Sequence, residues 1–133
     1  MKPLIIFLMT LLGTFVQIPK NDPNGIWEAD GGTQFKLTLT GPDLHVRLVP
    51  GSNPALVTYE VELKNQEEVN TYAGNGFFVA KEQANKECRY DVAWKLIVAN
   101  NDHIVAEIPA IISNPGTCEI KQRMQGQVEL VKK

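Results

Sequence analysis

The residues from Phe35 to Leu63 alternate between apolar and polar side chains, and this period of two constrains the fold more than any other feature. Ten positions of one parity are apolar, and the seven positions between them are polar. Successive side chains of a β-strand point to opposite faces, so the alternation predicts strands with one dry and one wet face. The ten apolar positions are Phe35, Leu37, Leu39, Leu44, Val46, Leu48, Val57, Tyr59, Val61 and Leu63.

Turn-forming residues divide the chain into about eight predicted strands. Gly41-Pro42-Asp43 predicts a tight turn, and Pro50 to Pro54 a longer loop. Asn75-Gly76 allows either a hairpin turn or a bend within one strand that runs to Ala80, and we favour the bend. Further strands are predicted at 90–98, 104–108 and 120–131. The short links and the lack of a long helical pattern predict an all-β fold, a single-domain antiparallel meander barrel of about eight strands.

The N-terminus predicts an export signal. Lys2 is followed by an apolar run over residues 4–16, which suits a secretory signal and is shorter than the roughly 20 residues of a membrane span. The alternative is a buried strand or core helix. A polar segment rich in breakers follows at 17–23. We therefore expect a signal peptide at 1–20 and a secreted or periplasmic β-barrel domain at 21–133.

The two cysteines, Cys88 and Cys118, predict a disulfide, because an even pair in a small exported domain is usually oxidised. A redox or metal pair would need a C-x-x-C spacing or nearby histidines. Trp94 follows Cys88 by only six residues, which does not fit an immunoglobulin-type sandwich. In a meander the strands that begin near the two cysteines are one strand apart, so we expect both cysteines in flanking loops.

Composition and motifs argue against several classes of function. A net charge of −2 gives no footprint for nucleic acid or an anionic membrane. Two serines and two histidines make a serine hydrolase or a multi-histidine metal enzyme difficult to build, and neither His45 nor His103 has a neighbour at metal-ligand spacing. The sequence has no H-E-x-x-H, G-x-S-x-G or phosphate-binding glycine loop. We expect a binding protein without a cofactor and not an enzyme.

Gly25-Ile26-Trp27 opens the predicted first strand, and Arg123 lies in the predicted last strand. A G-x-W at the start of an eight-stranded meander, with an arginine late in the chain, resembles the lipocalin and calycin group of small-ligand-binding barrels. The resemblance implies that Trp27 closes one end of the barrel and that Arg123 packs across it. Gly25, Trp27 and Arg123 would then be structural residues and not ligand contacts.

The inward-facing aromatic residues are the candidate ligand site. An eight-stranded barrel is wide enough either to be filled by side chains or to hold one small ligand. In the first hypothesis a small, mainly apolar ligand binds in the interior, with tyrosine hydroxyls and Gln122 as polar contacts. Gln122 shares the parity of Leu130, which predicts a buried amide with hydrogen-bond partners. The candidate residues are Tyr59, Tyr72, Phe78, Tyr90, Trp94 and Gln122.

In the second hypothesis the barrel is filled and binds a protein, as an inhibitor or an envelope interaction factor. The segment 109–116 is unusually apolar, and it is a lid, a partner-binding patch through Ile111 and Ile112, or the end of a strand, which we favour. Ala93 and Ile97 on the nominally wet face also indicate a covered surface. Neither hypothesis includes a nucleic-acid partner or a membrane span.

Overall fold

A computed structural model describes residues 20–114 and 116–133, apart from the side chain of Ala84. The chain forms eight β-strands and one short 3-10 helix at Gln83–Asn85. The predicted signal peptide at 1–20 lies, except for Lys20, outside the described residues. The strands are β1 Gly25–Ala29, β2 Gln34–Thr40, β3 Asp43–Leu48, β4 Leu56–Asn65, β5 Thr71–Lys81, β6 Glu87–Asn100, β7 His103–Ser113 and β8 Ile120–Lys132.

Each strand pairs antiparallel with the next, and β1 pairs with β8, so the sheet closes into a barrel in simple chain order. The predicted all-β meander barrel is confirmed. The prediction of one continuous strand in place of a hairpin turn is confirmed too, because β5 runs through Asn75 and Gly76 to Lys81, although its pairing with β4 and β6 shows no register shift at these residues. The apolar segment after Pro109 is the end of β7, as favoured above. Within the described residues, no helix is long and apolar enough to cross a membrane.

The inward faces of all eight strands form one core. β6 shows the period of two most clearly, since Tyr90, Trp94 and Val98 are buried while the residues between them are exposed. Val57 is a correction to the predicted parity. The β4–β5 register shifts between Leu56 and Thr58, and this irregularity leaves Val57 43% exposed. A bulge of this kind moves one side chain out of the alternating pattern.

One end of the barrel is closed by Trp27, which is fully buried and donates from Nε1 to the carbonyl of Pro23 at 2.8 Å. The expectation that Arg123 packs across this ring is wrong. Lys132 takes that position, with its Nζ 5.6 Å from the ring centroid, a distance that allows a cation–π interaction. Arg123 lies far along β8 from Lys132 and donates to the carbonyl of Asp91 at 3.0 Å.

The opposite, open end is overlapped by an arm, which we define as the outer parts of β7 and β8 over residues 108–126. The β6–β7 ladder extends from Asn100 to Lys95 on β6, and the β1–β8 ladder covers only Leu130–Lys132 of β8. The β7–β8 ladder continues through the whole arm, from Ile108 opposite Gly126 to Ser113 opposite Ile120. The arm is therefore a two-stranded ribbon that extends beyond the closed part of the barrel.

The predicted disulfide is confirmed, with the Cα atoms of Cys88 and Cys118 5.3 Å apart. The expected position of Cys88 in a loop is wrong, because Cys88 is the second residue of β6 and lies opposite Ala80 of β5. Cys118 lies in the turn between β7 and β8, with a φ of 63°. The turn brings the sulfur of Cys118 to that of Cys88, across the region where β6 and β7 are not paired. Only Cys118 therefore lies outside a strand.

Candidate functional site

Five of the inward-facing aromatic residues form an aromatic cluster in the half of the barrel nearer the open end. Trp94 meets Phe35 and Tyr59 edge to face, at centroid distances of 5.4 and 5.5 Å. Phe78 stacks on Tyr59 at 4.9 Å and approaches Tyr90 at 5.3 Å. These distances are those of direct ring contact, so the rings fill the space between them. The members of the aromatic cluster are Phe35, Tyr59, Phe78, Tyr90 and Trp94.

The polar atoms of the aromatic cluster are paired within the protein. Trp94 Nε1 donates to Tyr59 Oη at 3.0 Å, and Tyr90 Oη donates to Glu82 Oε1 at 2.9 Å. Burial raises the pKa of Tyr59 to about 12, because the phenolate would lose its hydration in the core. Among the residues that the structure describes, every buried side-chain nitrogen and oxygen has a hydrogen-bond partner. The cluster is a satisfied core as it stands.

Glu82 links the cluster to the arm. The same carboxylate oxygen that accepts from Tyr90 also accepts from Ser113 Oγ at 2.6 Å, and Ser113 is the last residue of β7. These two hydrogen bonds, that from Ser113 first, lower the pKa of Glu82 by stabilising its charged form. Burial is the main cause that raises the pKa of Tyr90. Sequence reasoning missed Glu82, since a loop carboxylate shows no periodicity.

Tyr72 and Gln122 do not belong to the aromatic cluster. Tyr72 is buried in the core but lies opposite Asn65 and Leu96, toward the end that Trp27 closes. The expected burial of Gln122 is wrong, because its side chain is exposed on the arm. Gln122 lies in the first part of β8, which precedes the closed barrel. A side chain with the parity of Leu130 is therefore not buried at this position.

One face of the arm, which we call its inner face because it shares the parity of the core face of β7 and β8, turns toward solvent. Burial on β7 changes parity beyond Ile108, so Ile111 and Ser113 are the less exposed residues there, and Ala110 and Ile112 are exposed. Ile104 lies opposite Leu130, and both are fully buried. The ladder runs without a shift to Ile112 opposite Gln122, so side chains of the same parity stay on the same face. Beyond the barrel this face is uncovered, with Ile112 43% exposed and Met124 45% exposed. The residues of the arm's inner face are Ile108, Ala110, Ile112, Gln122 and Met124.

The partner-binding patch predicted at Ile111 and Ile112 is divided by the pleat. Ile111 is half-buried and packs against the core, whereas Ile112 is exposed on the opposite face of the strand, which is turned away from the core. Ala93 and Ile97, on the outer face of β6, are exposed as their parity predicts. Ile112 is thus the member of the pair that a binding partner could contact without unfolding.

Two clefts open on the outside of the barrel. One, of about 690 Å³, lies between the β1–β2 turn and β8, and its charged lining residues are the acids Glu28, Asp30 and Glu129. The other, of about 500 Å³, lies between β5, β6 and Arg123, where the guanidinium of Arg89 stacks at 3.9 Å on Phe77. Neither cleft is lined by a member of the aromatic cluster.

Both histidines pair with glutamates on the outer face of the barrel. His45 Nδ1 contacts Glu62, and His103 Nε2 lies 3.7 Å from Glu129. Over residues 20–114 and 116–133, no three side chains of histidine, cysteine, aspartate or glutamate come together in a way that could hold a metal ion. Each histidine is therefore accounted for by a polar contact with a surface glutamate.

No protein-family model, no curated protein and no solved structure matches this chain. The closed barrel of eight antiparallel strands and the buried tryptophan at the start of β1 are consistent with a lipocalin-like barrel. The fold thus establishes the architecture alone. A function has to be inferred from the arm and the aromatic cluster.

Proposed function

We propose that this protein is an exported, lipocalin-like barrel that binds a small, mainly apolar ligand at its open end. The ligand covers the exposed apolar side chains of Ile112 and Met124 on the inner face of the arm. The observation that supports this proposal is the exposure of Ile112 and Met124 on the face of the arm that shares the parity of the core face of β7 and β8. The proposed activity is binding, without a catalytic step.

The packing of the rings determines where such a ligand fits. Because Tyr59, Phe78 and Trp94 are in direct contact, a ligand between them would have to displace a ring from a closely packed core. Phe78 is only half-buried and packs against the outer part of the core. A ligand on the arm needs no such displacement, and it would cover the exposed side chains of Ile112 and Met124.

The arm adds the features that a small-ligand site uses. Ile112 and Met124 supply apolar surface, and methionine adapts its shape to different ligands. The exposed amide of Gln122 supplies a donor and an acceptor beside them, in keeping with the few polar groups of most apolar pockets. The disulfide and the Ser113–Glu82 hydrogen bond hold the arm tip near Tyr90. The site is thus largely formed before a ligand arrives.

A matched pair of variants tests the site with the apolar fluorescent probe N-phenyl-1-naphthylamine. Ile112→Gln changes the inner face of the arm, and Ile97→Gln changes a side chain of equal size and similar exposure, 41% against 43%, on the outer face of β6. We expect Ile112→Gln to weaken probe binding by about tenfold, as loss of a buried aliphatic side chain does. Ile97→Gln should leave binding unchanged. Equal binding by both variants, or no binding by the parent protein, would contradict the proposal.

A second candidate function, binding of a protein partner, uses the same exposed residue. A protruding ribbon with exposed Ile112 and Met124 is a surface of the kind that protein partners cover. Ile112→Ser, compared with Ile97→Ser, separates the two functions when co-purifying proteins are identified by mass spectrometry. If the parent protein does not bind the probe, and a co-purifying protein is lost from Ile112→Ser but kept by Ile97→Ser, the result favours a protein partner over a small ligand.

A further inference from the structure

The outer edge of β8 is an unpaired strand edge. Among the described residues, β1 pairs with β8 only at Leu130–Lys132, so the segment 120–129 has a ladder partner on its β7 side alone. Its side chains from Ile120 to Gln125 are all exposed. An unpaired strand edge of this length offers a row of backbone donors and acceptors to another strand.

The edge of β7 in the arm differs, because it faces the same molecule. Arg123 reaches over it to the carbonyl of Asp91 on β6, and the disulfide and the Ser113–Glu82 hydrogen bond hold it there. Pro109 on β7 also lacks a backbone N–H. Among the described residues the β8 edge carries none of these contacts, and its inner end borders the cleft beside the β1–β2 turn.

The charges along the β8 edge are arranged for antiparallel pairing with themselves. Lys121 lies at its outer end, whereas Arg123 is turned toward β6, and Glu129 lies at its inner end, where Glu28 and Asp30 line the acidic cleft beside it. Within the described part of the chain, Lys121 forms no ion pair, and Glu129 is 69% exposed with only the 3.7 Å contact to His103. Two copies of this edge, turned end to end, bring the basic end of each against the acidic end of the other.

We propose that two copies of this chain dimerise by antiparallel pairing of their β8 edges about a two-fold axis at Gln125. In this register Lys121 of each copy lies opposite Glu129 of the other, at the mouth of the acidic cleft. A two-fold axis doubles each contact, since every residue pair occurs twice. The occupant is a second copy because the edge complements its own charge sequence. The dimer uses the edge of the arm, whereas the proposed ligand site uses its inner face, so each proposal can fail alone.

Charge exchange tests this dimer directly by sedimentation velocity over a range of concentrations. In a homodimer of Lys121→Glu both copies place a glutamate opposite Glu129, and in a homodimer of Glu129→Lys both place a lysine opposite Lys121. Each single variant should dissociate at least about tenfold more readily, because two exposed attractive pairs become repulsive. An equimolar mixture should dimerise like the parent, since both contacts of the mixed dimer join opposite charges.

Controls separate this result from misfolding and from another interface. Glu67→Lys makes the same charge change as Glu129→Lys at an exposed position of the loop between β4 and β5, and it should dimerise like the parent. Gln125→Cys should form a 125–125 disulfide with oxidised glutathione, identified by peptide mass spectrometry, since the axis places this residue opposite its own copy. A monomer at all concentrations overturns the proposal. A dimer that neither forms the 125–125 link nor responds to charge exchange overturns it too.

Discussion

Tyr59 holds the centre of the aromatic cluster through one ring and one hydroxyl. Its ring stacks on Phe78, and its oxygen accepts the Nε1 hydrogen of Trp94. Tyr59→Phe keeps the ring but leaves a buried indole N–H without its partner. We expect a loss of about 1–3 kcal/mol in the free energy of unfolding at neutral pH. Urea unfolding measures it, and an unchanged midpoint would contradict the role of this hydrogen bond.

The same hydroxyl predicts the response to alkaline pH. The pKa of Tyr59 is raised by burial from 10.0 to about 12, so the unfolded chain ionises first and folding stability falls as the pH rises through this window. The cost from this group is about 1.4 kcal/mol for each pH unit above its unfolded pKa. Tyr59→Phe lacks it, so the stability difference between variant and parent should narrow there. A difference that stays constant would contradict the assignment.

Two glycines of β5 show how closely neighbouring strands approach in a barrel this small. A Cβ on Gly76 would overlap the backbone carbonyl oxygen of Glu60 on β4, whereas a Cβ on Gly126 of β8 would lie 3.5 Å from the carbonyl oxygen of Ile108. Gly76→Ala should therefore lose several kcal/mol or fail to fold, and Gly126→Ala should change stability by less than about 1 kcal/mol. Thermal unfolding compares them, and equal stability of the two variants would contradict the close approach. Gly74 is in the same position against Glu62.

At the scale of single elements, the arm depends on Glu82. A carboxyl group whose pKa is lowered in the folded state stabilises fully above its unfolded pKa, and this stabilisation is lost as the pH falls through the folded pKa. The hydrogen bonds from Ser113 and Tyr90 lower the pKa of Glu82 in this way. Acid should therefore loosen the attachment between the arm tip and the aromatic cluster.

Glu82→Gln tests that attachment, with Glu67→Gln as a control at an exposed loop position. The amide keeps the shape of the side chain but does not titrate, so the variant should lose less of its melting temperature than the parent between pH 7 and about pH 3. Glu67→Gln should follow the parent. A parallel decline in all three proteins would contradict the proposed role of Glu82.

The strands themselves could be predicted from the sequence because their signal is local. Alternation from Phe35 to Leu63 reports burial on one face, and Gly74 and Gly76 allow β5 to approach the backbone of β4 closely. Gln122 and Val57 could not be placed this way. Both have the parity of core residues. A bulge displaces Val57, and Gln122 lies in the part of β8 that is outside the closed barrel.

Long-range contacts explain what else the sequence left open. The resemblance placed Arg123 on Trp27, but strand register decides which cation lies over a ring, and register here gives that place to Lys132. The pairing of Cys88 with Cys118 was expected because the sequence has two cysteines and an apolar N-terminal run that predicts export. That this disulfide holds the arm where β6 and β7 are not paired could not be predicted, because it depends on how far the strand pairing extends on either side of β7.

In the molecule as a whole, the barrel is closed, and three of the seven exposed large hydrophobic residues of its described part, Ile112, Ile120 and Met124, lie on the arm. Trp27 and the residues before it close one end, while the arm overlaps the other. The exposed side chains of the arm contribute little to the packing of the core. Ligand binding and folding stability therefore depend on different residues. Substitutions on the inner face of the arm should thus affect binding more than the melting temperature.

Native mass spectrometry of the protein purified without detergent from its own compartment tests the central claim, ligand binding at the open end, most directly. We expect a reproducible adduct of small-molecule mass that is released on denaturation. Ile112→Gln should lose this adduct, and Ile97→Gln should keep it. A bare protein mass, together with no adduct when apolar probes are added in excess, would contradict it.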